Sequence, residues 1–272
     1  MPGSNQRALD KAKTLPADAL ILDLEDAVAA DAKEMARDQV VAAVRAGFGQ
    51  REVAVRINAL ASAWGEADLL AIAAAHPDAV LIPKVQNPND VLKVSQRLPQ
   101  TMAIWAMIET PAAVLDVKEI AAAGGRLACL VIGSNDLLKE MGAPHTPDRS
   151  NIAAALTFTV LAARRYGLGV IDGAHNDIAD VAGFAAECAQ GRSFGFDGKT
   201  LIHPSQIGPC NAAFAPRPEE VEVARRIIAA FDLPENASKG AILLDGHMVE
   251  RLHADSARRT MALAKAIAAL TV

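Results

Sequence analysis

Two carboxylate residues follow apolar segments in the middle of the chain. Glu109 comes directly after the segment 102–108, and Asp136 comes shortly after the segment 127–132. If these segments are neighbouring parallel strands, their carboxyl ends share one edge of the sheet and the carboxylates face each other. Carboxylates without a nearby His or Cys pair are hard oxygen ligands that suit Mg²⁺ and leave positions for water and substrate. The sequence therefore predicts that Glu109 and Asp136 hold a Mg²⁺ cofactor.

A cation and a row of backbone amides are predicted beside this site. Arg56 lies at the end of a further apolar segment and offers a forked, permanently charged guanidinium. Gly133, Ser134 and Asn135 precede the second carboxylate and present successive backbone N–H groups, which suit a substrate carboxylate. Together with the acidic residues, these groups predict substrate binding and chemistry on an oxo-acid or a hydroxy-acid.

Further ionisable residues end the other apolar segments in the same way. They are Asp23, Glu25, Asp26, Lys84, Asp172, Asp197 and Lys199. In a barrel of parallel strands these ends converge on one mouth, where active sites form. One such residue alone would more often be a helix cap, but the pattern repeats along the chain and favours a functional site.

The elements that position these residues are short apolar segments followed by segments of helical period. Six of the seven predicted strands are 19–22, 53–58, 79–84, 102–108, 127–132 and 169–172, and the segment 193–201 carries the last strand and its loop. Continuous apolar strands that alternate with helices indicate a parallel sheet buried on both faces. Seven strands, with no Gly-x-Gly-x-x-Gly after any of them, favour an α/β (β/α)8 TIM barrel over a Rossmann sheet. One of the eight strands is then unaccounted for, and the family resemblance given below implies that it is the first strand, which is short or missing.

The pattern changes near the C-terminus and predicts two regions. Residues 1–215 form the barrel, which is the catalytic domain, and 216–272 form a C-terminal extension with an amphipathic helix over 249–270. The complete outer layer of the barrel leaves this helix to pack at a subunit interface, so a homo-oligomer is expected.

Composition and charge exclude several classes of protein. The 272 residues are 51% hydrophobic and 22% charged, which excludes a disordered chain. A net charge of −5 with scattered basic residues argues against a nucleic-acid partner. No apolar run reaches the ~18 residues of a membrane span, and the first residues do not form a signal peptide. Three cysteines without metal spacing (Cys129, Cys188 and Cys210) are typical of reduced packing residues in a cytoplasmic protein.

An ordered set of motifs covers nearly the whole chain. The motifs are PGSN at 2–5, DLEDAV at 23–28, RIN at 56–58, IPK at 82–84, IETP at 108–111, GSND at 133–136 and GFDGKTLIHPSQ at 195–206. The set resembles the citrate lyase β-subunit-like family of the aldolase/citrate lyase group, with malyl-CoA and citramalyl-CoA lyases as relatives. Each motif alone is weak evidence for this resemblance, whereas the presence of all of them in the same order is strong evidence.

The resemblance implies an activity and its substrates. The expected enzyme is a Mg²⁺-dependent oxo-acid lyase that cleaves or forms a 3-hydroxyacyl-CoA such as citramalyl-, malyl- or citryl-CoA. The products of cleavage are an acyl-CoA and a 2-oxo acid. Two alternatives stay open at this point: a thioesterase acting on the same substrates, and a non-catalytic subunit of a larger lyase complex.

The resemblance also implies roles for particular residues. Arg56 and Asp26 belong to the catalytic set, with Arg56 beside the reacting oxygens, and Lys84 helps to bind substrate. Asp23 and Glu25 hold Arg56 and the waters of the metal. A loop near the nucleotide of CoA carries Asp197, Lys199 and His203.

The C-terminal motif departs from that of the family. The family's Gly-x-Met-Val/Ile-Asp is GHMVE at 246–250 here, so Glu250 stands where active lyases often have an Asp. That Asp acts as general acid/base over a neighbouring subunit's site in trimers or hexamers of the family. Glu250 keeps the carboxylate but is one methylene longer, which weakens the expectation of lyase activity and leaves metal binding unaffected.

Overall fold

The computed structural model describes residues 1–236 and 238–270, which fold as two compact units. Met1–Ala213 form the first unit and Phe214–Val272 the second. Within the described residues, every helix is too short or too polar to cross a membrane.

The first unit is built on a sheet of seven parallel strands that pair in sequence order. They are β1 Ala19–Asp23, β2 Glu52–Arg56, β3 Ala79–Ile82, β4 Ala103–Ile108, β5 Leu127–Ile132, β6 Gly169–Asp172 and β7 Gly198–Lys199. Both faces of the central strands are buried, which explains their uninterrupted apolar sequences. Cys129 packs in this core among Trp105, Met107 and Val131.

A closed barrel of eight strands is not shown. In the part of the chain that the structure describes, the sheet has seven strands and no pairing joins β7 to β1. The backbone of the first residues lies along the end of β1 instead: Gly3 N–H donates to Asp23 O at 2.7 Å, and Asp23 N–H donates to Met1 O at 2.8 Å. Only a single bridge, between Pro2 and Asp23, results. The prediction of a parallel α/β fold is confirmed at the level of the sheet.

Helices follow the strands, and their starts are fixed by capping residues. Thr110 Oγ1 accepts from Ala113 N–H at 3.0 Å directly after β4, and Asn87 caps the helix after β3. The helices of the first unit are α1 Gln6–Ala12, α2 Lys33–Ala46, α3 Gly65–Ala75, α4 Pro88–Ser95, α5 Pro111–Leu115, α6 Val117–Ala121, α7 Ser134–Met141, α8 Ala153–Tyr166, α9 Val181–Phe194 and α10 Ile207–Phe214, whose last residue belongs to the second unit. Short 3-10 helices lie at Ala30–Ala32, Ser150–Ile152, Pro204–Gln206 and, in the second unit, Pro234–Asn236.

The second unit contains a hairpin as well as helices. Helix α11 spans Pro218–Asp232, the antiparallel strands β8 and β9 span Ala241–Leu244 and His247–Glu250, and α12 spans Arg251–Leu270. The prediction of a helix from residue 249 is wrong for its first two residues. The turn at Asp245 and Gly246 has positive φ at both positions, which favours a tight hairpin and keeps Val249 and Glu250 in the strand.

Candidate active site

Arg56 and two acidic residues form a buried ionic group at the ends of the first two strands. Arg56 Nε and Nη2 donate to the two carboxylate oxygens of Asp23, each at 2.6 Å. Arg56 Nη1 lies 3.0 Å from Glu25 Oε2. Register explains the contact, because Asp23 and Arg56 are paired positions of neighbouring parallel strands. Asp23 and Glu25 therefore contact the guanidinium of Arg56, and their role at the waters of a metal stays a prediction.

A second network that the sequence analysis missed supports this group. Lys33 Nζ donates to Leu24 O and Glu25 O, both at 2.8 Å, and to Asn58 Oδ1 at 2.7 Å. Asn58 in turn donates to Asp68 Oδ2 through its backbone N–H at 3.0 Å and its side chain at 2.6 Å. These buried bonds fix the backbone on which Glu25 is carried. The RIN motif contained the signal, since its Asn58 follows a buried strand.

The two predicted metal ligands are brought together with Lys84 between them. Lys84 backbone N–H donates to Glu109 Oε1 at 2.7 Å, and Lys84 Nζ is hydrogen-bonded to Asp136 Oδ2. The same ammonium lies 3.8 Å from carboxylate oxygens of Glu25, Asp26 and Glu109. Lys84 has φ of 52°, in the left-handed region, so both its amide and its ammonium reach the acidic group.

Gly133 allows Glu109 to lie against the start of α7. A Cβ at Gly133 would come within 2.4 Å of Glu109 Oε2, so a larger residue would displace the carboxylate. The predicted row of amides is shifted by one residue, because Gly133 N–H donates to Ile108 O at 3.1 Å and continues the sheet. The N–H groups of Ser134 and Asn135 are in the first turn of α7, have no acceptor within the helix, and would be available to an anion.

Burial and charge shift the pKa of several groups in the site. Burial raises the pKa of Glu25 to about 7; the nearby Glu109 and Asp26 add to the rise, while Arg56 and Lys84 oppose it. Burial likewise raises the pKa of Glu109, with Asp136 contributing. For Asp23 burial acts in the same direction, but the hydrogen bonds and charge of Arg56 outweigh it and hold the pKa below its usual range.

The donors at this site fit a hard divalent cation. Glu109 is 1% exposed, yet it shares the site with Asp136 and Glu25, an acidic group whose charge a cation would stabilise. Carboxylate oxygens are the ligands that Mg²⁺ takes in proteins, where it usually keeps several waters. Glu109 and Asp136 are the pair that could hold it. Across residues 1–236 and 238–270, no group of three or more His, Cys, Asp or Glu has the arrangement of a complete metal site.

A second buried charge cluster lies below the loop that follows β6. Lys199 Nζ lies 3.2 Å from Asp172 Oδ2 and is hydrogen-bonded to Glu187 and to Gly173 O. Arg149 Nη1 donates to both carboxylate oxygens of Asp172, at 2.8 and 2.9 Å. The side chain of Lys199 is 0% exposed, and the prediction that it belongs to a loop near CoA stays a prediction. Its ammonium neutralises two buried carboxylates.

The other two residues predicted for the CoA loop lie in different places. Asp197 precedes β7 and accepts from Val170 N–H at 2.9 Å and from Arg164, at the amino ends of the strands and away from the mouth. The prediction that Asp197 lies at a strand's carboxyl end is therefore wrong. His203 is exposed and caps the 3-10 helix that follows, with Ser205 N–H donating to its Nδ1 at 3.2 Å.

The remaining predicted residues are partly exposed or belong to the second unit. The Asp26 side chain is 59% exposed and lies 3.8 Å from both Arg56 Nη1 and Lys84 Nζ. The side-chain amides of Asn135 and Asn176 donate hydrogen bonds to each other, at 3.2 and 2.7 Å. These bonds join the loops after β5 and β6. Glu250 is in β9 of the second unit, where its N–H donates to His253 Nδ1 at 2.9 Å, and its catalytic role stays a prediction.

The fold and the site define an α/β protein whose acidic residues, arginine and lysine meet at the carboxyl ends of parallel strands, where such folds bind small ligands. The sequence profile of the family described as HpcH/HpaI aldolase/citrate lyase matches residues 1–204. The chain belongs to this family.

Similar proteins cover the chain almost completely. It is 48% identical over 270 residues to a protein named (3S)-malyl-CoA thioesterase from Cereibacter sphaeroides, with 99% of this chain and 94% of that protein covered. It is 33% identical to citrate lyase subunit beta of Escherichia coli, with 97% and 91% covered. Among solved structures, CitE from Mycobacterium tuberculosis in complex with magnesium, acetoacetate and coenzyme A has a TM-score of 0.82 and 30% identity, with 97% and 96% covered.

Proposed function

We propose that this protein is a Mg²⁺-dependent thioesterase that hydrolyses a 3-hydroxyacyl-CoA of the malyl-CoA type. The observation that carries the proposal is the pair Glu109 and Asp136, held around Lys84 and beside Arg56 at the strand ends. The choice of hydrolysis is supported by the 48% identity to the named malyl-CoA thioesterase along nearly the entire chain. The replacement of the family's Asp by Glu250 weakens the case for a lyase.

The reaction is addition of water to the thioester carbonyl, followed by departure of the CoA thiolate. Mg²⁺ bound by Glu109 and Asp136 would supply a Lewis acid that orients the hydroxyl and carboxylate of the acid portion. Arg56 is placed to stabilise the negative charge that develops on the thioester oxygen. Removal of one such donor typically costs ~3–4 kcal/mol of transition-state stabilisation.

The other residues of the site bind and position the substrate. The N–H groups of Ser134 and Asn135 bind a substrate carboxylate at the start of α7. Lys84 contributes a second cation and, through its backbone N–H, keeps Glu109 in place. Asp26 is exposed and near both cations, so it can accept the proton that the attacking water loses. His203 is accessible to the nucleotide part of CoA. Lys199 is buried and neutralises the neighbouring carboxylates instead.

A carbon–carbon lyase acting on the same substrates is the second candidate. Similarity to citrate lyase subunit beta over 97% of this chain favours it. In that reaction Arg56 would stabilise an enolate of the acyl thioester, and Glu250 of a neighbouring subunit would act as general acid/base. This assignment requires the homo-oligomer that the sequence predicts, which the family resemblance implies to be a trimer or hexamer. A non-catalytic subunit of a larger lyase complex is the remaining alternative.

Product analysis separates these candidates. The purified chain is incubated with malyl-CoA, citramalyl-CoA and citryl-CoA, each with Mg²⁺ and with a chelator, and the products are separated by chromatography. Hydrolysis predicts free CoA and the intact hydroxy-acid in equal amounts. Acetyl-CoA together with a 2-oxo acid would establish the lyase instead, and no turnover of any substrate by the isolated chain would contradict both enzymatic proposals.

A further inference from the structure

A buried lysine to which the proposed reaction gives no role lies at the first residue of α2. Lys33 is 6% exposed, and the helix runs from it to Ala46. The start of a helix carries a partial positive charge, so a cation there is unfavourable unless other groups compensate for it. Burial adds the cost of removing the ammonium from water. A lysine in this position therefore needs a specific set of acceptors.

Three uncharged oxygen atoms supply these acceptors. Lys33 Nζ donates to the backbone O of Leu24 and of Glu25, both at 2.8 Å, and to Asn58 Oδ1 at 2.7 Å. An ammonium has three N–H groups, so each of them has an acceptor. The ring centroid of Trp64 lies 5.3 Å from Nζ, within the range of a cation–π contact. The ammonium thus joins the loop after β1 to the loop after β2.

The same turn after β1 is also held by Asp23. The backbone N–H groups of Glu25 and Ala27 donate to the two carboxylate oxygens of Asp23, at 2.9 and 3.1 Å. Val28 N–H donates to Glu25 O at 2.9 Å and closes the turn. Asp23 therefore binds the amides of this turn, whereas Lys33 binds its carbonyl groups.

The turn carries two acidic side chains that lie close to the cations of the site. Glu25 Oε2 is 3.0 Å from Arg56 Nη1, and Asp26 Oδ2 is 3.8 Å from both Arg56 Nη1 and Lys84 Nζ. In the proposed hydrolysis, Arg56 stabilises the developing charge and Asp26 accepts a proton. A shift of the turn would change the distances between these acids and both cations.

We propose that Lys33 is a positioning residue of the active site. The inference rests on the proposed hydrolysis and assigns to Lys33 no contact with substrate. By holding the carbonyl groups of Leu24 and Glu25, its ammonium keeps Glu25 and Asp26 at their places beside Arg56. Its loss should therefore slow the chemical step more than it weakens the binding of substrate.

Lys33→Met tests the proposal, because it keeps the length of the side chain and removes the ammonium. In steady-state kinetics with Mg²⁺, kcat should fall about tenfold or more, since small displacements of reacting groups are costly. KM should stay within about twofold, as expected when an interaction needed in the transition state is lost. Mg²⁺ affinity, measured by calorimetry, should equal that of wild type, because Glu109 and Asp136 are placed by β4 and α7. Wild-type kcat, or a loss of Mg²⁺ affinity that accounts for the lower activity, would overturn the proposal.

Arg126→Met is the matched control, because it removes the same kind of contact far from the strand ends that form the site. Arg126 directly precedes β5, at the amino ends of the strands, and its Nη1 donates to the backbone O of Leu98 and of Pro99 at 2.6 and 2.7 Å. This variant should keep wild-type kcat even where its free energy of unfolding is lower. An equal loss of kcat in both variants would assign the effect to general destabilisation and overturn the proposal.

A milder variant covers the case in which Lys33→Met does not fold. Lys33→Gln retains a hydrogen-bond donor at the same position without the charge. It should show the same pattern with a smaller loss of kcat, and it replaces Lys33→Met in every measurement if that variant is unfolded.

Hydrogen exchange measured by NMR gives a readout that does not depend on turnover. The amide N–H groups of Glu25, Ala27 and Val28 should exchange faster in Lys33→Met than in wild type and in Arg126→Met. Equal exchange in all three proteins would overturn the proposal. If wild type hydrolyses none of the substrates, the proposed function fails, and the exchange of these amides still decides whether Lys33 holds the turn.

Discussion

Arg56 and Asp23 join the ends of β2 and β1 through two parallel hydrogen bonds of 2.6 Å each. This bidentate contact fixes the plane of the guanidinium and leaves Nη1 to approach Glu25. A planar fork of this kind cannot be reproduced by an ammonium group, because lysine offers a single point of charge on a flexible chain. The orientation of the Arg56 guanidinium is therefore set by Asp23.

Arg56→Lys is expected to be nearly as damaging as Arg56→Ala. Each should reduce kcat by about 100-fold or more, because the developing charge on the substrate loses its oriented donor. Steady-state kinetics with Mg²⁺ measures the effect. Arg97→Lys, at an exposed ion pair with Glu66, is the matched control and should retain wild-type kcat. Retention of most of kcat by Arg56→Lys would reduce Arg56 to a general counter-charge.

Glu109→Gln and Asp136→Asn should each weaken Mg²⁺ binding at least tenfold, because each removes a charged oxygen ligand. Isothermal titration calorimetry measures the affinity independently of turnover. Glu119→Gln, at an exposed site of α6, should bind Mg²⁺ like wild type. In the presence of a chelator, Glu109→Gln should be at least as stable as wild type, since a buried carboxylate with a raised pKa is removed. Wild-type Mg²⁺ affinity in either site variant would refute the ligand assignment.

The raised pKa of Glu25 predicts a pH-dependent stability in chelator. Because burial raises the pKa from 4.5 to about 7, the folded state favours the protonated form. The contribution of Glu25 to the free energy of unfolding is fully present below pH 4.5. It is lost as the pH rises through 7, by at most about 3 kcal/mol. Glu25→Gln should remove this dependence. Denaturant unfolding of both proteins between pH 4.5 and 8 gives the difference; parallel curves would contradict the raised pKa.

Lys199→Met should destabilise the protein by about 3–5 kcal/mol, because it leaves Asp172 and Glu187 buried with less compensating charge. Adding Glu187→Gln should recover part of the loss, since it removes one of the unpaired carboxylates. Lys118→Met, at an exposed position, should change the free energy of unfolding by less than about 0.5 kcal/mol. Urea unfolding monitored by circular dichroism distinguishes these outcomes. Equal stability of Lys199→Met and Lys118→Met would show that the buried cluster contributes nothing.

Mixing inactive variants tests whether subunits share active sites. If Glu250 acts over a neighbouring subunit, an Arg56→Ala chain and a Glu250→Ala chain should recover part of the activity when co-assembled, because some sites then contain both intact residues. Subunit exchange is verified by native mass spectrometry of tagged chains. Exchange without recovery would place Glu250 outside the shared site, and a monomer by light scattering would exclude sharing altogether.

The sequence predicted the sheet and the centre of the site for a physical reason. Parallel strands buried on both faces must be apolar throughout, so a polar residue marks where each strand ends. That pattern correctly placed Arg56, Lys84 and Glu109 together. The same pattern does not distinguish residues at the two ends of a very short strand, and it misplaced Asp197, which precedes the two-residue β7.

Other features depend on tertiary contacts that a single sequence does not show. The burial of Lys199 results from carboxylates on β6 and α9, far from it in the chain. Closure of the barrel was expected from the number of strands, but strand pairing is decided by backbone hydrogen bonds, which strand count does not show.

The close approach of Gly133 and Glu109 restricts which residues can be substituted at this site. Any side chain at 133 would occupy the volume of the Glu109 carboxylate, so a saturation library should accept glycine alone at this position. Asn135 and Asn176, only a few residues away, are exposed and bind each other. Substitutions at these two exposed amides can therefore be tolerated, whereas the absence of a side chain at Gly133 keeps the geometry around the Glu109 carboxylate constant.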